Sequence, residues 1–165
     1  MSIDPGLKGA ICFYDPITGA LEIFDMPIHS IKRNNKSKNV IDLYTLARIV
    51  DDKAKEVKLA VVEDVYSMPG QGVSSVFSFG FSAGCAQMVV AANFIKLRPI
   101  SPSVWKKAMR ITKDKDTAFR EASRLMPHHS EKWARKRDDG RAEAALMAYY
   151  AAGLENKVLN MESML

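Results

Sequence analysis

Residues 59–63 read Leu-Ala-Val-Val-Glu, an apolar run that ends in an acid, within a chain of 165 residues. A continuous apolar run of this length is typical of a strand that is buried on both faces of a sheet. A carboxylate directly after such a strand is costly to bury unless a cation or a hydrogen-bond donor lies beside it. We therefore predict that Glu63 lies at the end of a central strand and belongs to a functional site.

The segments on either side of this strand predict both strands and helices. Residues 9–14 and 21–26 are strand-like, and the Asp-Pro-Ile-Thr-Gly sequence between them favours a turn, so a hairpin is predicted. A further strand is expected at 95–97. Apolar spacing and composition predict helices over the ranges 40–55, 74–92, 102–109, 115–125 and 141–152. This order predicts an α/β fold with a mixed sheet flanked by helices.

The composition is that of one domain with a proper core, since 47% of the residues are apolar. We assign residues 1–153 to this domain and 154–165 to a loosely ordered C-terminal tail. The helix over 74–92 is expected to be buried, and the sequence is expected to contain no apolar run of membrane-spanning length. Cys12 and Cys85 lie in apolar stretches. They are predicted to be buried thiols in a reducing compartment, which favours a cytoplasmic location.

The chain carries a net charge of +5, which favours partners that bear phosphate groups. Half of the 24 Lys and Arg residues lie between Lys106 and Arg141. A second basic cluster lies in a segment without apolar periodicity, predicted to be a mobile loop, and consists of Lys32, Arg33, Lys36 and Lys38. Charge alone leaves open whether these segments bind a polyanion or are simply solvated faces.

Acidic residues occur in three groups, each at the end of a predicted element. Asp4 precedes a Gly-rich turn, Glu63 follows the central strand, and the last helix opens with Asp138, Asp139 and Glu143. Asp139 and Glu143 are four residues apart and share one helical face. Asp4 could instead cap its turn, and acids in a first helical turn can simply stabilise the helix dipole. Together, dispersed carboxylates suit a site for Mg²⁺, and the surrounding cations indicate a nuclease.

Five stretches carry a resemblance to a known family. They are Ile-Asp-Pro-Gly-Leu-Lys-Gly-Ala at 3–10, Val-Val-Glu at 61–63, Gly-Gln-Gly-Val-Ser-Ser-Val-Phe-Ser-Phe-Gly at 70–80, Pro-Ser-Val-Trp-Lys-Lys at 102–107, and Asp-Asp-Gly-Arg-Ala-Glu-Ala at 138–144. In this order the chain resembles the RuvC family of Holliday junction resolvases, within the RNase H-like superfamily, and most of all its short phage-type members. The resemblance implies an RNase H-like fold and a location in the host cytoplasm if the protein is phage-encoded.

The resemblance also implies phosphodiester hydrolysis with two Mg²⁺ or Mn²⁺ ions per active site, which leaves 5′-phosphates. Asp4 would bridge the ions, Glu63 would hold one, and Asp139 with Glu143 would hold the other. Cellular members have Asp-x-x-Asp on the last helix, whereas this chain has Asp139-x-x-x-Glu143, so Asp138 stays open as an alternative ligand. Only three residues precede Asp4, so the first strand is expected to be shorter than the family's.

The basic segments gain a role from this resemblance, because Lys and Arg position DNA through its phosphates. The predicted phosphate contacts are Lys106, Lys107, Arg110, Lys113, Lys115, Arg135, Lys136 and Arg137. Tyr66 and Phe77, or Phe79 in its place, are predicted to stack on unpaired bases, with core packing of the two Phe residues as the alternative.

A four-way junction is two-fold symmetric, which suits a homodimer with paired cuts. The helix over 74–92 contains small residues that favour close approach of a second helix, namely Ser82, Ala83, Gly84, Ala86, Ala91 and Ala92. It is a candidate dimer face, and simple packing of this helix on the sheet is the alternative.

Three other functions are alternatives to a strict resolvase. A broad-specificity debranching nuclease, acting on forks, flaps and replicative phage DNA, shares every feature above. A non-catalytic DNA-binding module is less consistent with a full set of acids. An actin-like sugar kinase or ATPase needs a second phosphate loop and a second lobe, for which 165 residues leave no room.

Overall fold

The computed structural model of the chain describes residues 1–33, 36–64, 66–67, 70–112, 114 and 116–162. Seven strands and five α-helices are assigned in these ranges. The strands are β1 (Ser2–Ile3), β2 (Ala10–Tyr14), β3 (Leu21–Asp25), β4 (Ile28–Arg33), β5 (Lys36–Ile41), β6 (Ala60–Glu63) and β7 (Leu97–Ile100). The helices are α1 (Leu43–Lys53), α2 (Val73–Ala92), α3 (Pro102–Ala108), α4 (Asp116–Leu125) and α5 (Asp139–Glu162).

Five of the strands form a mixed sheet in the order β3-β2-β1-β6-β7. The hairpin of β2 and β3 is antiparallel, and β2 pairs antiparallel with β1. Strands β1, β6 and β7 run parallel to one another, with Ile3 opposite Val62. Strand β1 is short, as expected from the three residues that precede Asp4, and it lies at the centre of the sheet. The predicted mixed sheet flanked by helices is therefore confirmed.

The two faces of this sheet are covered by different helices. Successive residues of a strand point to opposite faces, so Val62 packs in one core with residues of α1 and α2, including Leu46 and Val90. Val61 packs in the other core with Trp105 of α3 and with α4 and α5. The edge of the sheet where β1 and β6 end is thus bordered by α2 on one face and by α3 and α5 on the other.

The segment predicted to be a mobile loop is instead a hairpin. Strands β4 and β5 pair antiparallel, with Ile28 opposite Ile41 and Arg33 opposite Lys36, and form a two-stranded sheet of their own. The helix predicted to begin at Val40 begins at Leu43. Its start is set by Asp42, whose carboxylate accepts a hydrogen bond of 3.1 Å from the Thr45 amide. An acidic N-cap of this kind satisfies an amide that the helix itself leaves unpaired.

The boundaries of β7 and α5 also differ from prediction. The strand predicted at 95–97 is β7 at Leu97–Ile100, because the chain first turns through Phe94 at a positive φ of 56°. Helix α5 begins at Asp139 rather than Arg141 and continues through Glu162, so the predicted tail is helical as far as the structure describes it. The division of the chain into a domain of 1–153 and a tail of 154–165 stays a prediction.

Helix α2 is not buried as predicted. Ser82, Ala83, Ala86 and Val90 face the sheet, whereas the opposite side is exposed. Its 20 residues include no Asp, Glu, Lys or Arg, and by length and composition alone the helix could cross a membrane, although core helices of soluble proteins pass the same test. The expectation that no apolar run reaches that length was therefore wrong, and the absence of a membrane partner stays a prediction.

Candidate active site

The parallel pairing of β1 and β6 brings two acids to one edge of the sheet. Ile3 lies opposite Val62, so the next residues, Asp4 and Glu63, emerge side by side. Helix α5 reaches the same edge through a close contact of Gly140, where an added Cβ atom would lie 2.1 Å from the Lys8 carbonyl oxygen. Such a distance excludes any side chain, so glycine is required for α5 to approach the turn that follows Asp4.

Asp4 is partly buried, and its Oδ1 accepts a hydrogen bond of 3.1 Å from the Gly6 amide. The pKa of Asp4 is raised to about 7, chiefly by burial and in part by the negative charges of Glu63 and Glu143, against the lowering effects of the Gly6 amide and Lys106. The three carboxylates are therefore electrostatic neighbours, although they come from β1, β6 and α5.

Glu63 is buried, with only 9% of its surface exposed. The indole Nε1 of Trp105 donates a hydrogen bond of 3.0 Å to its Oε1. Burial raises the pKa of Glu63, and the Trp105 hydrogen bond together with the charge of Lys106 lowers it. Sequence reasoning included Trp105 in a motif but gave it no role. A Trp that is fully buried needs an acceptor for its N–H group. This requirement was the signal that could have predicted a hydrogen bond from Trp105 to a buried carboxylate.

Lys106 lies inside the acidic cluster. Its Nζ is 3.0 Å from both carboxylate oxygens of Glu143 and 5.1 Å from the centre of the Trp105 ring. A cation at this distance over a Trp ring is attracted by the ring electrons. Lys106 was predicted to contact DNA phosphate, but here it neutralises Glu143 and holds a positive charge beside Asp4 and Glu63.

Asp138 is directed toward a different set of residues. It is only 5% exposed, and its carboxylate accepts hydrogen bonds from Nε and Nη2 of Arg135 at 3.0 and 2.9 Å. The Arg135 side chain holds the pKa of Asp138 below its usual range. Nearby, Arg141 forms an ion pair with Asp25 at 2.5 Å. Asp138 is thus already neutralised by an arginine.

Asp139 is half-buried, and its Oδ1 accepts a hydrogen bond of 3.1 Å from the Gly140 amide. The charge of Glu143, on the same helix, acts on both Asp4 and Glu63. The assignment of Asp139 as a metal ligand stays a prediction.

The donor set fits a divalent cation by its chemistry. Within the described ranges, no three His, Cys, Asp or Glu side chains are arranged as a preformed metal site. However, Asp4, Glu63 and Glu143 offer only oxygen atoms, which Mg²⁺ and Mn²⁺ prefer. Two of these carboxylates are buried enough to raise their pKa values, and Lys106 is the cation that accompanies them. To bind Glu143, a metal ion would therefore have to displace the ammonium group of Lys106 from this carboxylate.

An open cleft of about 730 Å³ continues from this cluster between α3, α4 and α5. Its lining includes both charged and hydroxyl side chains, namely Ser103, Lys106, Lys107, Thr112, Asp114 and Glu143. The site is therefore accessible to a large polar substrate from the side of α3.

The other predicted DNA contacts are distributed around this edge. Lys107, Arg110, Lys136 and Arg137 are exposed, whereas Arg135 is engaged with Asp138. The predictions for Lys113 and Lys115 lie outside the described residues.

The two predicted stacking residues are both accessible. Tyr66 is 68% exposed, with its hydroxyl bonded to Asp64. Phe77 is 74% exposed, so the alternative that it packs in the core was wrong. Phe79 is half-buried.

Comparison with known proteins supports the fold. No protein-family model matches the chain, and no curated protein matches it significantly. Among solved structures, the chain is similar to the RuvC structure of Thermus thermophilus, with a TM-score of 0.52 and 14% sequence identity. The match covers 91% of this chain and 93% of that one. The fold is therefore RuvC-like over nearly its whole length.

Proposed function

We propose that this protein is a structure-selective endodeoxyribonuclease that resolves Holliday junctions by paired, divalent-metal-dependent nicks, leaving 5′-phosphates. The observation that carries the proposal is the meeting of Asp4, Glu63 and Glu143 at one edge of a RuvC-like sheet. Burying carboxylates together is unfavourable for stability, so their presence calls for a cationic partner. A phosphodiester substrate with its metal ions is the partner that also suits the surrounding Lys and Arg residues.

Asp4, Glu63 and Glu143, with Asp139 at the start of the same helix, would hold Mg²⁺ or Mn²⁺, two ions per active site. Bound there, the metal supplies a nucleophile derived from water and stabilises charge on the phosphate. The chain itself orients this site. Trp105 holds the Glu63 carboxylate through its indole N–H, and the Gly6 amide holds Asp4.

Lys106 and the exposed basic residues have separate tasks in this proposal. Lys106 offsets repulsion among the three carboxylates while Glu143 is without metal. Lys107 and Arg110 are exposed beside the cleft, where they contact DNA phosphates without reading base sequence. Tyr66 and Phe77 stack on bases that are unpaired at the branch point.

A homodimer is part of the proposal, because two active sites suit a two-fold symmetric junction. Beyond Phe77, the exposed side of α2 continues as an apolar stripe defined by Phe81, Gly84 and Met88, with spacings of three and four residues that keep it on one helical face. Exposed apolar stripes of this kind mark interaction sites. The small residues of α2 therefore lie on two different sides of the helix. Ser82, Ala83 and Ala86 are buried against the sheet, whereas Gly84, Ala91 and Ala92 are exposed and available to a second copy.

The alternative function is a broad debranching nuclease that acts on forks, flaps and replicative phage DNA with the same carboxylates. A non-catalytic DNA-binding module is disfavoured, because the acidic cluster has no purpose in it. We place the protein in the cytoplasm, or in the host cytoplasm if it is phage-encoded, consistent with two free thiols.

Incubation of the protein with labelled four-way junction, fork, flap and linear duplex tests the proposal. With Mg²⁺ we expect symmetric nicks in the junction that a ligase can seal, which requires 5′-phosphates. Cutting of forks and flaps at equal rates would support the debranching nuclease instead. Cutting that persists unchanged in EDTA would reject a metal-dependent mechanism.

A further inference from the structure

The β4–β5 hairpin is an arm separate from the main sheet. It forms a two-stranded sheet of its own, and residues such as His29, Ser30 and Lys32 are exposed. At its base, Ile41 is buried in the core beneath α1 and α2. Further along, Nζ of Lys38 donates a hydrogen bond of 2.7 Å to Oγ of Ser78 on α2. Because isolated two-stranded hairpins are marginally stable in water, these anchors hold the arm against the body.

The arm is strongly basic. Between Ile28 and Ile41 it contains four Lys or Arg residues and no acid. Two of the basic residues, Lys32 and Lys38, have exposed side chains. Positive charge concentrated on one exposed element attracts polyanions such as DNA.

The arm leaves the sheet at the edge that carries the carboxylates. The Met26 amide, directly after β3, donates to the Gly9 carbonyl in the turn that follows Asp4. The Asp42 amide in turn bonds the Pro27 carbonyl and closes the base of the hairpin. The arm lies on the side of α2, whereas Lys107 and Arg110 follow from α3 on the opposite face. Basic surfaces therefore border the acidic cluster on both faces of the sheet.

The dimensions of the arm suit duplex DNA. Each strand has six residues, which corresponds to a length of about 20 Å. A two-stranded ribbon fits the major groove of B-form DNA or follows a phosphate backbone. The exposed Ile28 and Ile31 would suit a contact with a second copy of the chain instead, but four positive charges would then oppose each other across a two-fold interface.

We propose that the β4–β5 hairpin is a second DNA contact, which holds a duplex arm of the branched substrate different from the arm on α3. This inference rests on the proposed function and deepens it, since it assigns how branched DNA is distinguished from a linear duplex. A linear duplex engages the α3 side alone, whereas a junction engages both faces at once. Two linked contacts raise affinity more than either contact does alone.

The test compares charge-matched variants. The arm variant is K32Q/K36Q/K38Q, and the control is K55Q/K58Q/K96Q, whose exposed lysines precede β6 and β7 at the opposite edge of the sheet. A third variant, K107Q/R110Q, removes charge on the α3 side. Binding to a four-way junction and to a linear duplex is measured in EDTA over a range of salt concentrations, so that no cutting interferes. The mass of each variant is measured by light scattering.

For the arm variant we expect the slope of log affinity against log salt on the junction to fall by about 2 to 3, at about 0.9 for each lost phosphate contact. Its slope on the linear duplex should remain near the wild-type value, and the control variant should behave as wild type on both. The α3 variant should lose affinity for both DNA shapes.

Several results would overturn the inference. The first is an arm variant whose salt slope on the junction equals that of the control variant, and the second is an equal loss of affinity for the junction and for the linear duplex. The third is a change of the arm variant from dimer to monomer, which would assign the arm to the dimer contact. A second measurement is independent of these substitutions. A photocrosslinker on Ser37→Cys, an exposed position in β5, should label junction DNA efficiently and linear duplex weakly. Its failure to label the junction would also reject the arm contact.

The inference and the proposed function fail separately. If the wild-type protein binds junctions but never cuts them with Mg²⁺ or Mn²⁺, the nuclease function is wrong, and the binding comparison in EDTA still decides the role of the arm. If the wild type cuts junctions and the arm variant does so with unchanged affinity, the function stands and the arm contact is rejected.

Discussion

Two groups of acids lie near the start of α5, and they are neutralised in different ways. Asp138 and Asp25 each have an arginine partner, Arg135 and Arg141 respectively. Asp4, Glu63 and Glu143 lie near one lysine, Lys106, which forms an ion pair with Glu143. The arginine partners lower the pKa values of the first group, whereas burial raises those of Asp4 and Glu63. The first group stabilises the fold, and the second is left short of positive charge.

The largest expected effect is the loss of junction cutting when an acid of the second group is substituted. Asp4→Asn should lower junction cutting by roughly three orders of magnitude, well beyond the 10–100-fold loss typical of a residue that only supports a ligand. Junction binding in EDTA should persist, because the phosphate contacts are intact. Cutting rates and affinities measured on the same preparation check this. A fully active variant would remove Asp4 from the site.

The next prediction compares the acids that lie at and just before the start of α5. Glu143→Gln and Asp139→Asn should each reduce cutting far more than Asp138→Asn. Asp138→Asn should instead lower the free energy of unfolding by about 1–3 kcal/mol, since its bonds to Arg135 are weakened. Urea unfolding and cutting assays measure the two effects. The reverse ranking would assign the third ligand to Asp138.

A smaller effect is expected from metal binding itself. If the second group holds Mg²⁺ or Mn²⁺, a metal concentration ten times the Kd stabilises the fold by about 1.4 kcal/mol. For a domain of this size that raises Tm by about 3–6 °C. Thermal unfolding with and without metal measures the shift. Asp138→Asn should retain the shift and Asp4→Asn should lose it, so equal shifts in both variants would contradict the assignment.

The smallest effect concerns pH. The pKa of Asp4 is raised from 3.8 to about 7 in the folded protein, so the folded state binds more protons than the unfolded state between these values. The metal-free protein should therefore lose stability from this group as pH rises from about 4 to about 7. Asp4→Asn should raise Tm at pH 8, and should raise it by less at pH 5. A Tm difference that is the same at both pH values would count against the raised pKa.

Much of the fold was predictable because its elements have strong local patterns. The apolar run before Glu63 and the turn at 15–19 predicted strands that the structure contains. Where the pattern was weak, prediction failed. The β4–β5 segment has Lys and Asn where strands have apolar residues, and it forms a hairpin through its ladder and its contact with Ser78. Helix α2 was apolar enough to appear buried, but its exposed stripe depends on which side meets the sheet.

The sequence by itself determined which residues end the strands and where charge accumulates, because strand and helix periods are local properties of the chain. It therefore placed Asp4 and Glu63 at strand ends and the basic residues around them. Only the tertiary structure decided which acids meet. Gly140 lets α5 approach the turn after Asp4, which brings Glu143 to Asp4 and leaves Asp138 to Arg135. The pairing of Lys106 with Glu143 spans 37 residues, and contacts of that separation depend on how the elements pack rather than on any local pattern.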